Sequence, residues 1–392
     1  MPSSRLTPFF RFIGNPFSFL LLSSLITATA ASKNTTYQPR PYTIDVSPKF
    51  LEETRQKVAN FRPTIDIDQT PWFDGPPVTN VTEIQKYWVE EYDWFAYQSY
   101  LNSNFSHYIT TVPPPGGTYN RSLDIHFIHQ RSTRDDAIPL LMLHGWPSTS
   151  VEWEKVIPGL ADPDDASKPA FHVVAPDLPG FGFSPAPTAP GLGLVEHGTV
   201  FTSLMEQLGY DRFAVYSTDL GYFVALHLIK KYEARIINHL TDFYIIFPTD
   251  ADLARYHANE TTLEENNYIE AAQAFINKHA GYSMVHSTYP LSLAYALTDS
   301  PLGFLAWMWQ LAATVNDRPY EPSELITHAL MLWIPGVYGN IRSYKELFTQ
   351  GPPPKTEVPT SIYQFGGMSL YPELSDFNYV VSTDLCDSHF LH

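Results

Sequence analysis

The hydrophobic pattern changes period along the chain, and each change marks a boundary. Over 48–60 apolar residues recur at helical spacing with charges between them, and 81–100 repeats the pattern with many Tyr and Trp. This predicts an N-terminal helical region over 37–112, closed by a run of three prolines at 113–115. The pattern then alternates between strand-like and helix-like stretches. Residues 122–129 alternate as a half-buried strand, whereas 138–143 and 171–175 are continuous apolar runs, as in strands covered on both faces. A helix through 160, a helix over 195–208, a strand over 213–216 followed by a helix, and a strand over 236–246 complete this part. Strands and helices in alternation at these lengths predict an α/β class with a doubly wound, mostly parallel sheet over 113–247. From 248 to 355 the pattern is wholly helical, with candidate helices at 263–279, 291–297, 302–314 and 323–333. A helical insertion at the C-terminal ends of strands is placed to act as a lid. A strand at 361–365 returns the chain to the sheet, so 356–392 is expected to complete the core.

Composition narrows the field of partners. The 392 residues carry a net charge of −17, which argues against nucleic acid and anionic membranes. The 15% aromatic share suits an apolar pocket under a lid. Cys386 is the only cysteine, so neither an intrachain disulfide nor a thiolate metal cluster can form. The histidines show no paired spacing beside carboxylates, so no metal and no cofactor is expected.

The first 30 residues resemble a secretory signal: Arg5 and Arg11, an apolar run over 16–26, then Ala28-Thr29-Ala30 as a cleavage site. The run is short for a membrane span, which needs about 20 residues. A membrane contact is expected only if this segment stays uncleaved. Asn-x-Ser/Thr sequons at Asn34, Asn80, Asn104, Asn120 and Asn259 fit a secreted or lumenal glycoprotein.

One stretch organises the chemistry. The β-prone run at 213–216 meets Ser217-Thr218-Asp219-Leu220-Gly221, and a helical pattern follows. Small residues two before and two after a central nucleophile are the layout of a nucleophile elbow. An aspartate there can attack a saturated carbon and form an alkyl ester that water later cleaves. The plainer reading is that Asp219 only caps the following helix, which Asp commonly does.

Other motifs break the tie. His144-Gly145-Trp146-Pro147, Gly180 to Ser184 and the aspartate elbow, in this order, resemble an epoxide hydrolase of the α/β-hydrolase fold. The N-terminal region, Leu123 to His129 and Ala280 to Pro290 are similar to the microsomal branch. The resemblance covers roughly 41–390. It implies Asp219 as nucleophile and the backbone N–H groups of Trp146 and Leu220 as the oxyanion hole. It implies Tyr282 and Tyr344 as lid phenols that hold the epoxide oxygen. It also implies Glu373 as the charge-relay acid and His389 as the general base. The substrate expected is a small apolar epoxide, opened to a vicinal diol.

Three departures qualify this expectation. The elbow has Leu220 where the family has tryptophan, and the histidine sits in Asp387-Ser388-His389-Phe390 rather than after two glycines. Glu373 and His389 are also closer in sequence than the family's helix and strand would require. A truncated C-terminal part and weak activity are therefore expected, with Asp250 as a back-up acid. The alternatives are a haloalkane dehalogenase-like hydrolase and a descendant of the same fold that binds without turnover.

Overall fold

The computed structural model describes residues 37–244, 248–315, 318–347 and 354–363. The first 36 residues and everything after 363 therefore lie outside the described residues, with Asn34, Cys386, Glu373 and His389 among them. The signal segment, the reading of 364–392 and the acid–histidine pair rest on the sequence.

Eight strands of the described residues form one sheet: β1 (Arg40–Pro41), β2 (His107–Val112), β3 (Leu123–Gln130), β4 (Ile138–Leu143), β5 (Phe171–Pro176), β6 (Phe213–Ser217), β7 (Ile236–Thr241) and β8 (Thr360–Ile362). Their order across the sheet is β1-β2-β3-β5-β4-β6-β7-β8. The first three run antiparallel and join β5, and the remaining pairs are parallel. This is the α/β-hydrolase arrangement. The buried strands explain the continuous apolar runs: Leu141, Leu143, Val173, Val174 and Phe213 are fully enclosed.

The chain leaves β4 for β5 on one side and returns to β6 on the other. A crevice at the strands' C-terminal ends follows from that reversal. Register fixes its floor. Leu143 pairs with Ser217, and Ser217 with Thr241. Residues just past these three ends therefore emerge at one level.

Among the described residues thirteen helices surround the sheet: α1 (Pro48–Ala59), α2 (Val78–Glu90), α3 (Trp94–Asn104), α4 (Ile157–Ala161), α5 (Leu194–Gln207), α6 (Asp219–Lys231), α7 (Asp250–His257), α8 (Leu263–Lys278), α9 (Gly281–Thr288), α10 (Pro290–Asp299), α11 (Pro301–Val315), α12 (Pro322–Trp333) and α13 (Val337–Leu347). The stretch read as one helix over 81–100 is two, because Asp93 caps the second by accepting from Phe95 and Ala96 N–H. α7, α9 and α13 were not foreseen. The strand expected to reach 246 ends at Thr241. Asp242 follows at once, and Asp is depleted in strands. No helix of the described residues is long and apolar enough to cross a membrane.

The N-terminal helices are not a separate lobe. α1 and α2 pack on α11 and α12 of the helical insertion. Phe50 lies against Trp333 with centroids 5.3 Å apart, and the Tyr92 and Thr327 hydroxyls are 2.8 Å apart. The lid is thus held from two sides.

A buried polar chain anchors the loops around β4 and β5. His126 Nδ1 donates to Asp177 Oδ2 at 2.7 Å, and Asp177 also accepts from the N–H groups of Ser150 at 2.8 Å and Phe183 at 2.9 Å. His126 Nε2 lies 3.1 Å from His107 Nδ1, and His107 Nε2 lies 3.2 Å from the Leu101 carbonyl. A carbonyl only accepts, so His107 donates from Nε2 and accepts at Nδ1. The chain Leu101–His107–His126–Asp177 is thus hydrogen-bonded from end to end. Burial by itself would raise the Asp177 pKa. The hydrogen bond and charge of His126, with His144 and the Phe183 N–H, outweigh burial and draw it down to about 2.

Asp177→Asn would remove the buried carboxylate on which His126 and two backbone N–H groups converge. Breaking a buried pair costs about 3–5 kcal/mol, so urea unfolding should show a loss of that size with an unchanged slope. A loss below about 1 kcal/mol, the scale of a neutral hydrogen bond, would mean that the charge of Asp177 does not anchor these loops.

Candidate active site

The elbow forms as the small residues around it require. Asp219 is the first residue of α6 and adopts φ +44°, a left-handed conformation that a β-carbon disfavours. The turn leaves no room at Gly221, where a β-carbon would lie 2.3 Å from the Leu143 carbonyl oxygen. Gly145 is constrained from the other side, since its β-carbon would fall 2.1 Å from Asp219 Oδ1. The two glycines let the β4 loop close directly over the carboxylate.

Asp219 Oδ1 accepts from the Trp146 N–H at 2.7 Å, and the Leu220 N–H also bonds the carboxylate. Both donors expected at the oxyanion hole are therefore on Asp219. Desolvation raises the Asp219 pKa, these two N–H groups oppose it, and the charge of Asp242 adds to the rise; the result is about 6. Capping alone does not explain such a group. Thr218, not Asp219, occupies the cap position, with no side-chain cap bond.

The β4 loop is braced from beneath and above. His144 Nδ1 donates to the Gly145 carbonyl at 3.1 Å, and Nε2 accepts from the Leu178 N–H at 3.0 Å. Burial lowers its pKa and keeps the ring neutral. The Trp146 indole donates to Asn340 Oδ1 at 3.1 Å, and the Asn340 amide donates to the Leu332 carbonyl at 2.9 Å. Asn340 belongs to α13, so this bond ties the oxyanion loop to the lid.

The lid brings its tyrosines to the same place. Tyr282 comes from α9 and Tyr344 from α13. The Tyr282 ring stacks on Trp146 with centroids 5.3 Å apart at 15°, and meets Tyr344 edge-on at 5.7 Å. Their hydroxyls interact, and burial raises both phenol pKa values, with the Asp219 charge adding to the rise in each. Both remain protonated at any ordinary pH. His286 packs between Trp146, Tyr282 and Tyr344 at 4.8, 5.7 and 5.0 Å, and accepts from the Trp307 indole at 3.0 Å. Desolvation lowers its pKa to about 3. It is a neutral wedge in the aromatic wall.

Gly145, Trp146, Asp219, Leu220, Tyr282 and Tyr344 line a cavity of about 1180 Å³, large for a small-molecule site. Its apolar wall includes Leu220, Phe223, Phe243, Phe275 and Leu311. Leu220, in the position of the family's tryptophan, supplies wall as well as backbone donor. No cluster of metal-ligating side chains occurs among the described residues.

Asp250 is not brought to the site. It is an exposed residue of the first turn of α7. The carboxylate at the end of that strand is Asp242, which lines the cavity. Desolvation raises its pKa, partly offset by the Thr218 and Tyr216 hydroxyls, and its Oδ1 is buried with no donor among the described residues. Reading the strand five residues too long hid it in the middle of an element. Glu152, on a 3₁₀ turn after the β4 loop, also lines the cavity and was missed, because nothing in its local sequence sets it apart.

Comparison with known proteins places the chain among relatives. Residues 39–153 match the family described as epoxide hydrolase N terminus, and 138–241 match the alpha/beta hydrolase fold. A juvenile hormone epoxide hydrolase of Manduca sexta is 29% identical over 71% of this chain and 61% of its own length. Epoxide hydrolase 1 of Sus scrofa is 27% identical over 87% of this chain and 83% of its own. The crystal structure of the juvenile hormone epoxide hydrolase of the silkworm Bombyx mori shares the fold. It has a TM-score of 0.69 and 24% identity over 84% of this chain and 80% of that one.

The electrostatics can be checked directly. Carbon-13 NMR of labelled aspartate carboxyls should give Asp219 a midpoint near 6. In Asp242→Asn that midpoint should fall, since one neighbouring negative charge is removed. A midpoint in the ordinary range near 4 in both proteins would mean that the carboxylate is well solvated.

Proposed function

The chain belongs to the epoxide hydrolases built on the α/β-hydrolase fold, and we propose that it adds water to an epoxide through an alkyl ester on Asp219. The observation that carries this reading is the juxtaposition of an N–H-held carboxylate with two buried phenols across one cavity.

Each part has a task. The Asp219 carboxylate attacks an epoxide carbon, and the carbon–oxygen bond of the ring breaks. Oδ1 is engaged by Trp146, which leaves Oδ2 as the attacking atom. The departing oxygen takes a proton from a phenol of the Tyr282–Tyr344 pair, which makes it a better leaving group. Water then adds to the ester carbonyl carbon. The negative charge formed there rests on the N–H groups of Trp146 and Leu220. Collapse of this intermediate releases the vicinal diol and restores the carboxylate. The water must lose a proton, and His389, aided by Glu373 or Asp242, is the base assigned to this step. Two phenols over the nucleophile favour an epoxide over a carbon–halogen bond, whose leaving anion needs no proton.

We further propose a secreted or lumenal glycoprotein, supported by the signal-like N-terminus and the sequons. Asn104, Asn120 and Asn259 are exposed. Protein made in a eukaryotic secretory host should lose mass on treatment with an N-glycan-removing amidase. An unchanged mass would count against that route.

Single-turnover reaction in heavy-oxygen water should put the label into Asp219, and Asp219→Ala should be inactive yet folded. Label found only in the diol would sink the ester mechanism. Tyr282→Phe and Tyr344→Phe should each slow ester formation by about tenfold to a thousandfold, on the scale of general-acid catalysis. The rate of ester formation should rise with pH through about 6, because the nucleophile must be ionised. A rate already level below pH 5 would contradict the raised Asp219.

A further inference from the structure

The reaction described uses the Asp219 carboxylate, two phenols, two backbone donors and a histidine with its acid partner, and it leaves Glu152 without a task. Glu152 follows the β4 loop on the turn Ser150–Trp153. Its side chain is exposed, and the space to which it is exposed is the cavity, which it lines together with Asp219 and Asp242. Its one hydrogen-bonding side-chain neighbour is Ser148. The charged residues beside it in sequence point to other partners. Glu154 accepts from the Tyr97 hydroxyl at 2.9 Å, and Lys155 pairs with Glu324 at 2.8 Å. Among the described residues no cation pairs with Glu152; Lys155 and Arg318, which line the same cavity, both pair with Glu324.

We propose that Glu152 forms a second polar subsite in the cavity, donating a hydrogen bond to an accepting oxygen, such as a carbonyl, that the epoxide substrate carries away from its ring. A carboxyl group beside two other carboxylates in a largely apolar cavity keeps its proton, and a protonated carboxyl is a donor. Desolvation raises its pKa to about 8, with Asp242 and Asp219 adding to the rise and Ser148 opposing it. Tyr282 and Tyr344 serve the ring oxygen from the lid wall. Glu152 stands on the core wall, so one substrate can engage both. A wholly apolar epoxide would leave this O–H without an acceptor on the substrate. The substrate class implied is an epoxide with a second oxygen function rather than a plain epoxyalkane.

This inference rests on the epoxide chemistry proposed above, and the test separates the two. The full chain is assayed on 1,2-epoxyoctane and on a series of epoxyoctanones whose carbonyl is moved along the skeleton. The wild type should show kcat/KM at least about tenfold higher for one ketone isomer than for epoxyoctane. Glu152→Leu should collapse that ratio to within about twofold, and Glu152→Gln, which retains an N–H donor, should preserve it. The groups facing Glu152 are Asp219, Asp242, Tyr216 and Ser148, and their titration acts on both substrates alike, so it cancels in the ratio. The wild-type ratio should therefore fall as pH rises through about 8, while that of Glu152→Gln stays level. Hydrolysis of epoxyoctane with no preferred ketone, or a ratio that survives Glu152→Leu, overturns the subsite and leaves the proposed function standing. Failure to hydrolyse any of the epoxides removes both.

Discussion

The site depends on holding one carboxylate in a conformation that its own backbone resists. Asp219 stands at φ +44°, and a non-glycine residue in that region costs on the order of 1–3 kcal/mol. It stays there because the surroundings over-determine it. Gly221 admits the Leu143 carbonyl on one side and Gly145 admits the carboxylate on the other, while the Trp146 N–H fixes Oδ1 at 2.7 Å. The same strain lifts the side chain out of the sheet and into the cavity. A relaxed helix start would aim it elsewhere.

Around this point the protein separates charge by layers. Below the crevice, the Asp177–His126 pair is fully buried and Asp177 is satisfied by backbone donors, which suits a load that must not move. Level with the crevice, Asp219, Asp242 and Glu152 line one cavity, and desolvation holds each above the ordinary carboxylate range. Above it, His286 is kept neutral and the two phenols protonated by burial. Proton donors thus face the cavity from the lid, and the anion faces it from the core. Asn340 links the layers, because one amide spans the oxyanion tryptophan and the lid backbone.

The acid partner shows where local pattern misleads. Asp250 was attractive because it follows a strand in sequence, yet it opens a lid helix with its side chain exposed. Asp242 lies eight residues earlier, at the strand's true end. An apolar run of Phe and Ile after it imitates a continuing strand, and only hydrogen bonding to β6 and β8 shows that pairing stops at Thr241. The split of the second N-terminal helix has the opposite cause. There a local signal, Asp93 as a cap, was present and was outweighed by the aromatic pattern.

What the sequence by itself determined is what depends on neighbours along the chain. The period of apolar residues set the α/β class, the buried strands and the helical lid, because burial on one face or both is written in spacing. The elbow was legible because a tight turn needs small residues at fixed offsets. Tertiary structure alone decided which side chains share the cavity. The pairing of Leu143 with Ser217 and of Ser217 with Thr241 brings Trp146, Asp219 and Asp242 to one level. Packing of α9 and α13 then sets Tyr282, Tyr344 and His286 above them. No local pattern marks Glu152 or Asn340, since their roles arise from groups distant in the chain. Register and packing are sums over many such contacts, so they exist only once the chain has folded.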